Sequence, residues 1–252
     1  MGCAVITGAS SGLGVEYAAK VIDIFPEIDE LWLIARSGDK LEKIARNIKN
    51  VPVRCVAADL TKSEDLDRLK ALFEERDAKI ELLINSAGCG YLGNFHESDM
   101  DEQLRMTELN ICALTAVTRL ALDHMPDGGR IINLSSIASF VPNARMTVYS
   151  ATKSYVTAFS RGLHEELKER GISVTAVCPG PMATEFLKTG HIAGNSKTFE
   201  TLPYCDPAAV AVNSLKAAKA RKAVYTPRAL YKVYRVLASL VPHAIMVKLA
   251  KT

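Results

Sequence analysis

The order of apolar runs along this chain predicts a doubly wound α/β domain, a parallel sheet of about seven strands flanked by helices. Three observations carry that expectation. Seven short runs, at 3–7, 31–35, 51–57, 81–85, 130–134, 172–177 and 223–226, are mostly rich in Val, Ile and Leu on both faces, as strands buried between helical layers are. Longer amphipathic stretches at 13–24, 39–48, 63–76, 100–125 and 147–170 lie between them, and parallel neighbours need crossovers of about a dozen residues or more. The 252 residues show no internal repeat or low-complexity linker, so 1–252 reads as one domain, with 227–252 a basic amphipathic C-terminal extension.

The first strand runs directly into Thr7-Gly8-Ala9-Ser10-Ser11-Gly12-Leu13-Gly14 and then the first helix. Glycines let the backbone turn tightly and approach a ligand, and a helix N-terminus offers unpaired N–H groups to a pyrophosphate. The helix at 63 opens with Ser63 and carries Glu64, Asp65 and Asp67 in its first turn, where the helix dipole favours negative charge. The helix at 147 follows Pro142 and Asn143, and Gly171 sits just past its end. Among eight tyrosines, only Tyr149 has a lysine four residues on, Lys153, which places both on one helical face. A phenol has a pKa near 10, and an ammonium beside it lowers that value by stabilising phenolate. Ser136 lies 13 residues before Tyr149 at the exit of strand 130–134, the end of a strand where ligands bind in this architecture.

Composition excludes several classes. Charged residues make up 23%, the AVILMFWYC set 48%, and the net charge is only +3, so nucleic acid is not an expected partner. The six cysteines are scattered without a C-x-x-C pair, so neither a metal site nor a disulfide framework is expected, and a reducing cytoplasm fits. The first strand starts at Cys3, which leaves no room for a signal peptide, and no run approaches the roughly 18–20 apolar residues of a membrane span. A G-x-S-x-G nucleophile elbow is absent, which removes the serine-hydrolase reading.

Taken in order, the motifs TGASSGLG at 7–14, Asp59-Leu60, Asn85-Ser86-Ala87-Gly88, Asn110, Ser136, Tyr149-x-x-x-Lys153, and Pro179-Gly180 with Thr184 resemble the short-chain dehydrogenase/reductase family over roughly residues 3–226. Ser86 stands where the family more often has Asn, a change that keeps a small polar residue. The resemblance implies a Rossmann-like fold and an oxidoreductase that interconverts a carbonyl and an alcohol. It implies that Ser136 polarises the substrate oxygen, that Tyr149 gives or takes the proton, and that Lys153 lowers the tyrosine pKa and holds the nicotinamide ribose. Asn110 would hold a water linking the lysine to solvent. Gly8, Ser10, Ser11, Gly12, Leu13 and Gly14 would cradle the cofactor phosphates, Asp59 and Leu60 would meet the adenine, and Asn85, Ala87 and Gly88 would support the centre of the site, Asn85 from within the sheet. Pro179, Gly180, Met182 and Thr184 would anchor the nicotinamide, and a homodimer or homotetramer is implied.

The second strand ends Leu33-Ile34-Ala35-Arg36-Ser37, with no carboxylate to accept ribose hydroxyls and repel a 2′-phosphate. The Arg36 guanidinium can fork onto phosphate oxygens, with Ser10 and Ser37 beside it, so NADP(H) is the expected cofactor. The loops 89–95, 137–146 and 185–203 contribute Tyr91, Leu92, Phe140, Val141, Met146, Phe186, Leu187, Ile192 and Phe199, a lining that suits a lipophilic carbonyl, with Gly190 and Gly194 as lid hinges. A non-catalytic NADP(H)-sensing or scaffold protein is the alternative on the same fold.

From Pro207 onward there are nine Lys/Arg and no Asp or Glu, while the preceding residues carry 22 basic against 28 acidic. Leu230, Val233, Tyr234, Leu237 and Val241 repeat at helical spacing with Arg228, Lys232 and Arg235 on another face. Such a helix serves as a lid, a subunit contact, or a peripheral contact with anionic lipid.

Overall fold

Strands buried on both faces can only pack between two helical layers, and the computed structural model, which describes residues 2–249, has that arrangement. The strands are β1 (Cys3–Thr7), β2 (Glu30–Ala35), β3 (Val53–Ala57), β4 (Ile80–Asn85), β5 (Arg130–Leu134), β6 (Ser173–Val177) and β7 (Val224–Tyr225). They form one sheet in the order β3-β2-β1-β4-β5-β6-β7, every pair parallel. The order reverses between β1 and β4, and a crevice opens there at the carboxyl ends of the strands.

One layer is built by α1 (Gly12–Ile24) and α9 (Pro207–Lys219), whose Leu13, Tyr17, Val21, Val210 and Leu215 cover Ile6, Leu33 and Ile84. Tyr17 and Ser214 join these helices through a buried 2.7 Å hydrogen bond. The other layer holds α3 (Ser63–Glu75) and α5 (Leu114–Leu122), with Phe73 tilted against Trp32 at 5.4 Å. α6 (Thr147–Glu166) packs on β6 and ends before Gly171, whose φ of +61° suits glycine. The helix α2 (Gly38–Ala45) crosses between β2 and β3.

Several expectations are revised. The helix predicted over 100–125 is α4 (Met100–Thr107), then a π-helical turn at Glu108–Ala113, then α5. In the first turn of α3, Ser63 is the first helical residue and Lys62 holds the capping position. The loop 185–203 contains two short helices, α7 (Glu185–Thr189) and α8 (Lys197–Thr201). Helix α9 was not anticipated, although Asp206 caps it by accepting from the Ala209 amide at 3.0 Å, with Pro207 in its first turn. The tail forms α10 (Ala229–Leu240) and α11 (His243–Leu249), and its burial differs from the predicted stripe: Tyr231 and Ala238 turn inward while Leu230, Val233 and Leu237 face solvent.

Candidate active site

The crevice at the strand reversal is a cleft of about 750 Å³. Its floor begins at the glycine turn after β1. Gly8 has a φ of +65°, and a Cβ there would lie 2.7 Å from the Ala87 backbone, so a side chain would close the approach. Thr7 Oγ1 accepts from the amides of Ser86 and Ala87, both at 3.2 Å, and ties this turn to the loop after β4. Ser11 caps α1 without a side-chain hydrogen bond, so the first-turn amides have no side-chain cap and are available to an anion. Gly8, Ser10, Ser11, Gly12 and Leu13 line the cleft. Gly14 does not: a Cβ there would meet the Gly8 carbonyl at 2.2 Å, so it serves the fit of helix against loop.

At the end of β2, Arg36, Ser37 and Lys40 border the cleft, and Lys40 reaches Glu185 across it at 3.7 Å. Asp59 and Leu60 form the opposite wall. Burial pushes the Asp59 carboxyl up, but hydrogen bonds from the Thr61 amide (3.2 Å) and hydroxyl (2.8 Å), with Arg105 and Arg36 nearby, leave it below its ordinary value. Arg105 of α4 stands 3.8 Å from the Asp59 carboxylate and lines the cleft. It was not anticipated, because no local pattern marks an arginine inside an amphipathic helix. The donors at one end, the amide cradle at the turn and a gap kept open by glycine fit a dinucleotide. Ala87, Gly88, Pro179, Gly180, Met182 and Thr184 complete that lining toward the reacting end.

Asn85 is corrected. It is buried between β4 and β5, where its amide donates to Thr118 Oγ1 and Asn133 Oδ1, both at 2.9 Å, and it does not border the cleft. Alternation along the strand turns it into the layer beneath. Ser135 also borders the cleft, but its hydroxyl is engaged, with the Lys153 carbonyl at 2.9 Å and the Thr157 hydroxyl at 2.7 Å. That leaves Ser136 as the free-standing serine at the exit of β5, its Oγ accepting from the Ala138 amide at 3.1 Å.

Ser136, Tyr149 and Lys153 converge on the cleft. The Lys153 ammonium donates to the Leu134 carbonyl at 2.8 Å and lies 5.7 Å from the centre of the Tyr149 ring. Burial pushes the Tyr149 phenol up to about 12, against a lowering hydrogen bond with Ser136. Burial also pushes Lys153 down to about 8. Burial is the largest cause of both shifts, because it disfavours phenolate and ammonium alike. The phenol stays protonated at neutral pH, and the ammonium is the group near its titration point.

Asn110 is buried behind the loop after β4, on the side of Gly88 that also faces the Lys153 ammonium. The π-helical turn carries one residue more than regular winding needs and swings Asn110 inward. There it accepts from the Cys89 amide at 2.9 Å and donates to the Cys89 carbonyl (2.8 Å) and Thr152 hydroxyl (3.0 Å). It holds the loop after β4 in place from behind the lining. At Gly190 a Cβ would meet the Gly90 carbonyl at 2.1 Å, so the missing side chain lets the two loops pack together. The outer part of the cleft is walled by Tyr91, Met146, Phe186, Leu187, Phe199 and Leu202. Leu230, Tyr231, Tyr234 and Met246 of the tail complete it.

The glycine turn, the strand reversal and the convergence of Ser136 at the exit of β5 with Tyr149 and Lys153 on α6 give a cleft that fits a dinucleotide beside a proton donor. A model of the short chain dehydrogenase family matches residues 2–191, and the chain belongs to the short-chain dehydrogenase/reductase family. A relative, the very-long-chain 3-oxoacyl-CoA reductase of Anas platyrhynchos, is 35% identical over 210 residues, 79% of this chain and 65% of that protein. The chain thus spans just under two thirds of that curated relative. A short-chain dehydrogenase of Sphingobium yanoikuyae in complex with NADPH is 30% identical with a TM-score of 0.79, covering 97% of this chain and 98% of that one. A bulky-bulky ketone specific alcohol dehydrogenase of Comamonas testosteroni is 29% identical with a TM-score of 0.73, covering 97% and 96%.

Proposed function

We propose that the protein is an NADP(H)-dependent oxidoreductase that reduces a lipophilic ketone or the oxo group of an acyl chain. The observation that carries the reading is the convergence of Ser136, Tyr149 and Lys153 between an amide-lined turn and an apolar outer wall. Bound NADPH would supply the hydride. The Tyr149 hydroxyl then donates its proton to the oxygen left negative by reduction, and Ser136 donates a hydrogen bond to the same oxygen. Lys153 keeps a positive charge beside the phenol and favours its deprotonation as the proton leaves. A phenol held protonated suits reduction better than oxidation. Arg36, Ser37 and Lys40, with no carboxylate at the end of β2, support the phosphorylated dinucleotide. The aromatic and aliphatic outer wall supports a bulky apolar substrate, in keeping with the substrates named for the Comamonas enzyme and the 3-oxoacyl-CoA reductase.

A panel of bulky ketones and 3-oxoacyl thioesters with NADPH tests the proposal. Turnover by the wild type is expected, and Tyr149→Phe should lower kcat by about 10²–10⁴-fold, the span of a lost general acid, with NADPH binding retained. Equal turnover by the two proteins would remove the proton donor, and NADPH binding without turnover on any substrate would favour the sensing or scaffold alternative.

A further inference from the structure

The C-terminal helices present an apolar face to solvent. Along α10, Ala229, Val233, Val236 and Leu240 recur at helical spacing on the side away from buried Tyr231 and Ala238. Val233, Val236 and Leu240 are 56%, 52% and 75% exposed. Leu237 lies beside them and Ile245 of α11 extends the patch. Among the described residues, six of the ten exposed large apolar side chains fall between 230 and 245, so this is a patch and not scatter.

Charge identifies what covers it. The chain carries nine Lys/Arg and no Asp or Glu from Pro207 onward. Arg228, Lys232 and Arg235 run along one flank of α10 and Lys248 lies on α11; Arg228 donates to the Tyr204 carbonyl and Arg235 to the Thr226 hydroxyl at 3.2 Å, but none of the four is paired with a carboxylate among the described residues. A second copy laid on this face by a two-fold axis would bring like charges together. An anionic lipid surface gives the cations opposite charge and the apolar stripe an acyl layer. Twelve residues of helix span about 18 Å, too short to cross a bilayer and suited to lying in its plane. Leu230, Tyr234 and Met246 on the same helices line the cleft, so the face and the cleft wall are continuous.

We propose that α10 and α11 seat the protein on the surface of an anionic bilayer, with Val233, Val236 and Leu240 in the acyl boundary and the cleft wall beside them. The full chain is sedimented with vesicles of phosphatidylcholine alone or equimolar with phosphatidylglycerol, at low and raised salt. Binding to the anionic vesicles that weakens with salt is expected. Val236→Glu/Leu240→Glu, which changes exposed side chains outside the cleft, should lower the partition coefficient by about 10-fold or more. Its melting temperature and its NADPH affinity should stay at wild-type values. Lys232→Glu should weaken binding to the anionic vesicles alone. A wild type that stays in the supernatant, or a double variant that sediments equally, overturns the proposal. So does a wild-type dimer that the double variant converts to monomer, because a second copy would then cover the face.

Discussion

The chemistry of the cleft rests on how burial acts on two side chains with opposite charged forms. Desolvation disfavours phenolate and ammonium alike, which places Tyr149 at about 12 and Lys153 at about 8. The sign follows directly: below pH 8 Lys153 is charged, above it the charge is lost, and Tyr149 remains protonated throughout. The rate of carbonyl reduction should therefore be flat on the acid side and fall through a pH near 8, read from kcat/KM against pH on the best substrate of the panel. A Lys153→Arg variant keeps a charge at all these pH values and should lose the limb near 8, whatever it does to the overall rate. Arg36 offers a second test at this scale. Arg36→Asp replaces a phosphate donor by a repelling carboxylate and should weaken NADPH binding by about 10²-fold while leaving NADH nearly untouched, measured by fluorescence titration. Equal wild-type affinity for the two dinucleotides would contradict the role of Arg36.

Elements were legible where their pattern was local. Strands β1, β2, β4, β5 and β6 were readable because residues buried on both faces leave continuous apolar runs, and α1 and α6 because Gly, Pro and the helical period mark their ends. Helix α9 leaves a weak pattern although Asp206-Pro207 is a start signal, because Pro207–Lys219 is rich in alanine and its charges are sparse. The cap makes it testable: Asp206→Ala should cost about 1 kcal/mol of stability, seen in urea unfolding. The shared helical face of Tyr149 and Lys153 was legible from spacing, and Ser136 joined them through the family resemblance. The place of Gly14 outside the cleft was not, since it depends on how closely the helix packs against the loop before it. Arg105 was hidden for a related reason: it reaches the cleft from a segment distant in sequence.

At the scale of the molecule, the cleft is built from nearly the whole chain, from Gly8 to Met246. A ligand bound there to the folded form alone stabilises every element at once. NADPH at a hundred times its dissociation constant should contribute about 2.7 kcal/mol and raise Tm by about 5–10 °C for a chain of this size, measured by scanning fluorimetry. NADH at the same concentration should raise it less if Arg36 reads the phosphate.

The surplus residue in the long helix of 100–122 has one more implication. Deleting a single residue from the widened segment would let the coil wind evenly while both flanking stretches kept their bearings against the sheet. Such a protein would fold, yet Asn110 would no longer clasp the Cys89 loop, so the shape of the scaffold and the competence of its chemistry are written in separable parts of the same helix.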